Sequence, residues 1–232
     1  MFTESSAIYD LVYSFKDYKK ESREIAGIIK EKMPGCQTVL DVACGTAEHH
    51  KYLNEHFQID GIDLNEKFID IARQKNPKVS YSVNDMVKFD LNKKYDVITC
   101  LFSSIGYLKT FAAIISALKC FNHHLNSPGL VILEPWLTPE NSDRSRLDMV
   151  NYDNDGTKIC RMTHSYPENE FSILHFYYLV GISGKGVQQF DERHEIRRTS
   201  TDEMIGAFKE AAFAVTFDEY GLTGRGMYYG LK

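Results

Sequence analysis

Val39-Leu40-Asp41-Val42-Ala43-Cys44-Gly45-Thr46-Ala47 is an apolar strand, read from about 38 to 43, that runs into a tight turn of small residues before a helix. Open parallel sheets bind ligands just beyond the carboxyl ends of their strands, and Gly45 lets a ligand approach the backbone where a larger side chain would block it.

Outward from that turn the same pattern repeats. Residues 19 to 33 put Ile25, Ile28, Ile29 and Met33 on one helical face, which Pro34-Gly35 ends. After a short helix comes the strand IDGIDL, then Asn65 as an N-cap for EKFIDIARQK with Phe68, Ile69, Ile71 and Ala72 on one face. VSYSV, YDVITCLF, a helix over 110 to 125 and GLVILEP continue it. Strands alternating with amphipathic helices predict an α/β fold of the Rossmann-like type, a mostly parallel seven-stranded sheet with helices on both faces.

From about 145 to 199 the texture changes to three extended runs, KICRMTHSY, FSILHFYYLVGI and VQQFDERHEIRRT, separated by PENE and SGKG. They predict an antiparallel β meander inserted into the frame. Ser200 and Glu203 form a capping-box pattern for a helix with Met204, Phe208 and Ala211-Ala212 inward, and AVTFDEYG with GMYYGL closes the chain as a hairpin. A single domain is expected, with a ligand-binding core over 1–136, the insertion over about 137–199, and a return to the core sheet over 200–232.

Composition narrows the function. The net charge of -5 and the short basic clusters Lys19-Lys20 and Arg197-Arg198 do not suit a run of phosphates, so nucleic acid is not expected as a partner. No apolar stretch approaches the roughly 20 residues of a membrane span, and MFTESSAIYDLV lacks the regions of a signal peptide, so no membrane association and a cytoplasmic location are expected. The five cysteines are scattered and never form a CxxC pair, which argues against a disulfide framework and a zinc site.

Eighteen residues after Gly45, Asp63 ends the second strand, where a carboxylate can accept both hydroxyl protons of a ribose. Asn84-Asp85-Met86 closes the third strand and offers a carboxylate or amide to an adenine amino group, and Leu101-Phe102 supplies an apolar wall. A nicotinamide dinucleotide needs a full GxGxxG turn for its pyrophosphate, which is absent here. S-adenosylmethionine (SAM) carries no phosphate and needs only a shorter turn.

DVACGTA (41–47), GIDL (61–64), NDM (84–86), YDVITCLFSSIG (95–106) and LEPW (133–136) together resemble class I SAM-dependent methyltransferases. More narrowly, from Tyr9-Asp10 to Gly230, the chain is similar to N,N-dimethyltransferases of nucleotide-linked 3-amino sugars, of the desosamine and mycaminose type. THS at 163–165, His175, His194 and GRG at 224–226 belong to that likeness.

The resemblance implies SAM as cofactor, S-adenosylhomocysteine as product, and a cofactor set of Asp41, Ala43, Cys44, Gly45, Thr46, Asp63, Leu64, Asp85, Met86, Leu101 and Phe102. Asp41 orients the turn or the methionine amino group. Two departures stand out: the family's GTG is GTA here, and its histidine after FSSIG is Tyr107.

Methyl transfer from a sulfonium is an in-line displacement, so alignment and dryness matter and no covalent nucleophile is needed. An amine acceptor must be neutral at attack, and Tyr107 is placed to help. Its ordinary pKa of about 10 favours hydrogen bonding or a water relay over proton abstraction.

In a simple hairpin register His175 stands opposite His194, with His164 on the same face two positions away. The three histidines either touch substrate, with His164 and His175 joining Tyr107 in catalysis, or serve structure or a subunit interface. Arg225 suits the diphosphate of a thymidine diphosphate sugar, or is a solvated turn residue. Trp136 either stacks on sugar or nucleobase or packs the insertion, while Tyr9, Tyr13 and Tyr18 form an aromatic edge, core or lid. The exposed edges of the insertion make a homodimer reasonable.

Overall fold

The structure is a computed structural model and describes residues 2, 4–154 and 156–232. The chain opens with α1 (Tyr9–Val12) and α2 (Tyr18–Lys32), then alternates through β1 (Thr38–Val42), α3 (His50–Leu53), β2 (Gln58–Asp63), α4 (Glu66–Lys75), β3 (Ser80–Val83), β4 (Tyr95–Cys100), α5 (Phe111–His124) and β5 (Leu125–Leu133). Four long strands follow, β6 (Arg146–Asn154), β7 (Thr157–Glu168), β8 (Phe171–Ile182) and β9 (Gly186–Arg197). The chain then returns through α6 (Thr201–Glu210), β10 (Ala214–Asp218) and β11 (Met227–Leu231).

Seven strands form one sheet in the order β10-β11-β5-β4-β1-β2-β3, and β6 to β9 form a second, antiparallel sheet. Strands β1 to β5 are parallel, with β11 antiparallel between β5 and β10. The expected α/β frame with an antiparallel insertion is therefore present. Because β1 pairs with β2 on one side and β4 on the other, the chain leaves it in opposite directions, and a crevice opens at its carboxyl end.

Both faces of the sheet are covered, which is why its strands read as continuous apolar runs. Leu40, Val42 and Ile98 pack toward Ile114, Leu118 and Phe121 of α5 and Phe208 of α6. Val39, Val97 and Ile132 face the other way, onto Ile25 and Ile29 of α2. The caps read from the sequence form: Asn65 accepts the Lys67 N–H at 3.1 Å, and the Ser200–Glu203 capping box starts α6. Ala212 departs from the expected inward face. It lies past the helix end, exposed, at a φ of 61°.

Two further readings need correction. The insertion has four strands, not three, and the sequence hides β6 because it inverts the usual alternation: Arg146 and Asp148 face the interior cleft while Leu147 and Met149 are exposed. The histidine register is also different. His175 pairs with His164 and Arg193, and His194 pairs with Leu174. Three residues, Ser183 to Lys185, separate the last paired residues Ile182 and Gly186, where a simple hairpin would have two. One residue of slip turns a side chain to the other face. His164 and His175 therefore lie on the outward face, His164 against Ser145 Oγ at 3.0 Å and His175 against Asp191 at 2.6 Å, and only His194 points inward.

Among the described residues, no helix is long and apolar enough to cross a membrane.

Candidate active site

A cleft of about 1090 Å³ opens where β1, β2 and β4 end, roofed by the N-terminal segment and walled by the inward face of the second sheet. That exceeds the few hundred Å³ that one small ligand fills, leaving room for two molecules side by side.

One half is built on the small-residue turn. Ala43, Gly45 and Ala47 all have φ near 58°, so the backbone curls through alternate left-handed positions. A Cβ placed on Gly45 would meet no protein atom within 4 Å, so the glycine serves the backbone conformation and the open cleft rather than packing. Asp63 Oδ2 accepts the Gly45 N–H at 2.9 Å and Oδ1 accepts the Asn65 N–H at 2.8 Å. Burial pushes the Asp63 carboxyl up while these bonds pull it down, and the net direction is up.

Asp41 is buried at the base of the turn. It accepts the Thr99 hydroxyl at 2.7 Å and lies 3.0 Å from His50 Nε2, whose Nδ1 meets Tyr81 Oη at 2.8 Å. Thr46 Oγ1 donates to Asp10 at 2.5 Å, which pins α1 over the turn. Ala43, Cys44, Leu64, Asp85 and Met86 complete this half of the lining. Burial pushes the Cys44 and Cys100 thiols up, so neither is a ready nucleophile.

The other half centres on Phe102. Phe102 and Ser103 have φ of 52° and 64°, a rare pair of left-handed non-glycine residues. Glu134 holds them: its Oε2 accepts the Phe102 N–H at 2.7 Å, and its Oε1 accepts Thr223 Oγ1 at 2.5 Å and Arg225 Nη2 at 3.0 Å. Gly106 follows because a Cβ there would come within 2.4 Å of the Ile196 side chain, where β9 closes on the turn.

Around Phe102 stand Tyr13, edge-on at 5.3 Å, and the Arg225 guanidinium, 5.5 Å from the Phe102 ring and 5.6 Å from that of Trp136. Leu101, Tyr107, Tyr9 and Tyr18 also line the cleft. Burial pushes the phenols of Tyr9 and Tyr107 well up, so both keep their protons.

The expected cofactor residues, together with Tyr107, Trp136 and Arg225, thus all line one cleft, whereas His164, His175 and His194 do not. His194 sits behind the lining, hydrogen-bonded to Tyr107 at 2.7 Å and packed on Phe2 and Phe176. Arg225 has one corner of its fork committed to Glu134, so it does not stand free as a two-pronged phosphate ligand.

Sequence reasoning missed Glu134 as a node, and it missed Arg161. Arg161 is 7% exposed, stacked between the rings of Tyr13 and Phe176 at 5.0 and 4.9 Å, with no partner for Nε or Nη1 among the described residues. The available signal was alternation, since Ile159, Arg161 and Thr163 share one face of β7 and a charge on an inward face calls for an anion.

Residues 39–129 match the methyltransferase-domain family. The chain is 34% identical to the dTDP-3-amino-3,6-dideoxy-alpha-D-glucopyranose N,N-dimethyltransferase of Streptomyces fradiae, over 98% of this chain and 91% of that protein. It belongs to the class I SAM-dependent methyltransferases.

The methyltransferase is also 33% identical to the dTDP-3-amino-3,4,6-trideoxy-alpha-D-glucopyranose N,N-dimethyltransferase of Streptomyces venezuelae, over 97% of this chain and 96% of that one. Its fold superposes on Streptomyces venezuelae DesVI with a TM-score of 0.93 at 32% identity, covering 99% of both chains. SAM-bound CalS10, an amino pentose methyltransferase from Micromonospora echinaspora, gives 0.88 at 27% identity, covering 100% of this chain and 97% of the other.

The geometry of the turn fits SAM: a glycine backbone open to the cleft, a carboxylate with free lone pairs at the end of β2, and apolar Leu64 and Met86 beside it. Gly45→Ala is accordingly expected to cost about 1 kcal/mol of stability, from the left-handed φ. Its methyl group enters the cleft, so S-adenosylhomocysteine should bind at least about tenfold more weakly, or about 1.4 kcal/mol. Thermal melting and calorimetric titration measure the two effects separately.

Proposed function

We propose that this methyltransferase transfers methyl groups from SAM to the amine of a thymidine diphosphate-linked aminosugar. The observation that carries the reading is a wall of buried donors without acceptors. Arg161 Nε and Nη1, Arg225 Nε, Trp136 Nε1 and Ser172 Oγ have no partner among the described residues, and all four side chains line the cleft. Unmet donors and an unpaired buried cation are costly unless a ligand meets them, and a sugar diphosphate is rich in acceptor oxygens. The full-length likeness to enzymes named for such substrates points the same way.

In this reading Asp63 accepts the ribose hydroxyls, Asp85 and Met86 hold the adenine, and the turn from Ala43 to Thr46 carries the amino-acid end, with Asp41 fixing its base. Bound SAM supplies an electrophilic methyl group. The protein holds the acceptor in line with it, and the aromatic edge of Tyr9, Tyr13 and Phe102 excludes water.

Calorimetric titration with S-adenosylhomocysteine, then with thymidine diphosphate, tests the reading. Both should bind, and a dTDP-3-amino sugar should be methylated. Failure of the nucleotide to bind while the homocysteine still does would leave a methyltransferase of another small molecule.

Arg161→Met should weaken thymidine diphosphate by roughly 10- to 100-fold, the worth of a charge-assisted hydrogen bond, with S-adenosylhomocysteine affinity within about twofold. Loss confined to S-adenosylhomocysteine would instead assign Arg161 to the cofactor's carboxylate. Arg225→Ala should likewise weaken the nucleotide far more than the cofactor; equal losses would remove Arg225 from the acceptor side.

A further inference from the structure

Behind Tyr107 lies a line of polar groups that reaches away from the cleft. Tyr107 Oη is 2.7 Å from His194 Nδ1, and the imidazole, 1% exposed, is covered by Phe2 at 4.5 Å and Phe176 at 5.0 Å between ring centres. Its Nε2 faces Glu192 Oε2 at 3.6 Å and has no hydrogen-bond partner among the described residues. Glu192, also buried, accepts Ser5 Oγ at 2.6 Å, Ser5 N–H at 3.2 Å and Glu4 N–H at 2.9 Å.

Tyr107 keeps its proton, so it donates to Nδ1. That places the hydrogen of the neutral imidazole on Nε2, toward the carboxylate.

We propose that Tyr107, His194 and Glu192 form a relay that removes the proton of the acceptor's amine, with Tyr107 touching the nitrogen and His194 and Glu192 acting through it. The inference rests on the amine-acceptor reading above.

The step balances within the methyl-transfer reaction. The nitrogen lone pair forms the N–C bond as the C–S bond breaks with its electron pair to sulfur. That lone pair is freed before attack, when one proton of the bound ammonium passes to Tyr107 Oη while the phenol's own proton passes to His194 Nδ1. What remains is a methylated ammonium and an imidazolium facing the Glu192 carboxylate, and the imidazolium's proton returns through Tyr107 to water after product leaves.

Several features suit this use. Burial holds the imidazole below its ordinary value, with Glu192 pulling it back, so His194 rests neutral and ready to receive a proton. The aromatic cover keeps bulk water off the ring, and the serine and backbone N–H groups hold the carboxylate still. A histidine at position 107 would do this directly; a tyrosine needs a base behind it.

Three variants test the relay. Tyr107→Phe removes one oxygen and keeps the ring, while His194→Asn and Glu192→Gln interrupt the line further back. Each is expected to lower kcat by roughly 100-fold with both KM values within about twofold, the scale of a lost proton-transfer group. S-adenosylhomocysteine affinity, measured by calorimetry, should be unchanged and serves as the check on folding.

The hydroxylamine counterpart of the same sugar arrives uncharged at neutral pH, so its turnover should fall far less in all three variants. The nitrogen NMR signals of His194 in the enzyme without ligands should shift in Tyr107→Phe.

A Tyr107→Phe enzyme with kcat within twofold of wild type would overturn the relay, as would a loss confined to KM, an equal loss on the hydroxylamine, or unmoved His194 signals. Wild-type enzyme inactive on every amine offered would overturn the acceptor reading first, and the relay with it.

Discussion

Glu134→Ala is expected to destabilise the protein by roughly 3 kcal/mol and to lower its melting temperature by roughly 6–12 °C, the cost of breaking a buried charge pair from one side. The glutamate is 2% exposed and has every reason to be missed if it goes. Arg225 would lose its Nη2 partner, with its Nε already without one among the described residues, and the Phe102 N–H would lose its acceptor.

Phe102 and Ser103, at φ of 52° and 64°, would then be held by the bond from Ser103 Oγ to the Pro135 carbonyl at 2.6 Å and by the Gly106 N–H on the Ser103 carbonyl at 3.0 Å. Activity should fall with stability, because the same carboxylate fixes the backbone of Phe102 in the lining of the cleft. Glu134→Gln keeps one acceptor oxygen and should fall between. Thermal denaturation of the three proteins decides it, and a Glu134→Ala melting point within about 2 °C of wild type would refute this account.

Asp63→Ala should have the larger effect on binding, weakening S-adenosylhomocysteine by roughly 100- to 10,000-fold. Two charge-assisted hydrogen bonds to ribose hydroxyls, at about 1.5–3 kcal/mol each, set that range. The carboxylate also ties Gly45 to the start of α4 through Asn65, so the turn should loosen as well. Affinity for thymidine diphosphate should change much less. Calorimetry on wild type, Asp63→Ala and Asp63→Asn separates these effects; a loss under tenfold in Asp63→Ala would take the ribose away from this residue.

The frame and the half of the cleft built on the small-residue turn were legible in the sequence because their signals are local. Apolar runs, a small-residue turn, Asn65 before its helix and Asp63 at the end of β2 each need only a few neighbouring residues to be recognised. The half around Phe102 was legible in part. Tyr107 and Trp136 follow β4 and β5 directly, so topology alone carries them to the cleft mouth. The histidines were misplaced because a hairpin's register depends on loop length, and SGKG allows a two- or a three-residue loop with opposite consequences for every side chain beyond it.

By itself, then, the chain's order of residues determined the parallel sheet, the small-residue turn after β1 and the carboxylates that follow the strands, since strand ends and caps are set by adjacent residues. Only the tertiary structure decided that His164 and His175 face outward, that Arg161 is a buried cation aimed into the cleft, and that Glu134 joins Phe102 to Arg225. It also brought Tyr107 against His194, 87 positions away in sequence, as it brought Arg225 to Glu134 across 91. Such partners are chosen by how the two sheets pack, for the first, and by the pairing of β5 with β11, for the second, and both are properties of the whole folded chain rather than of any stretch of it.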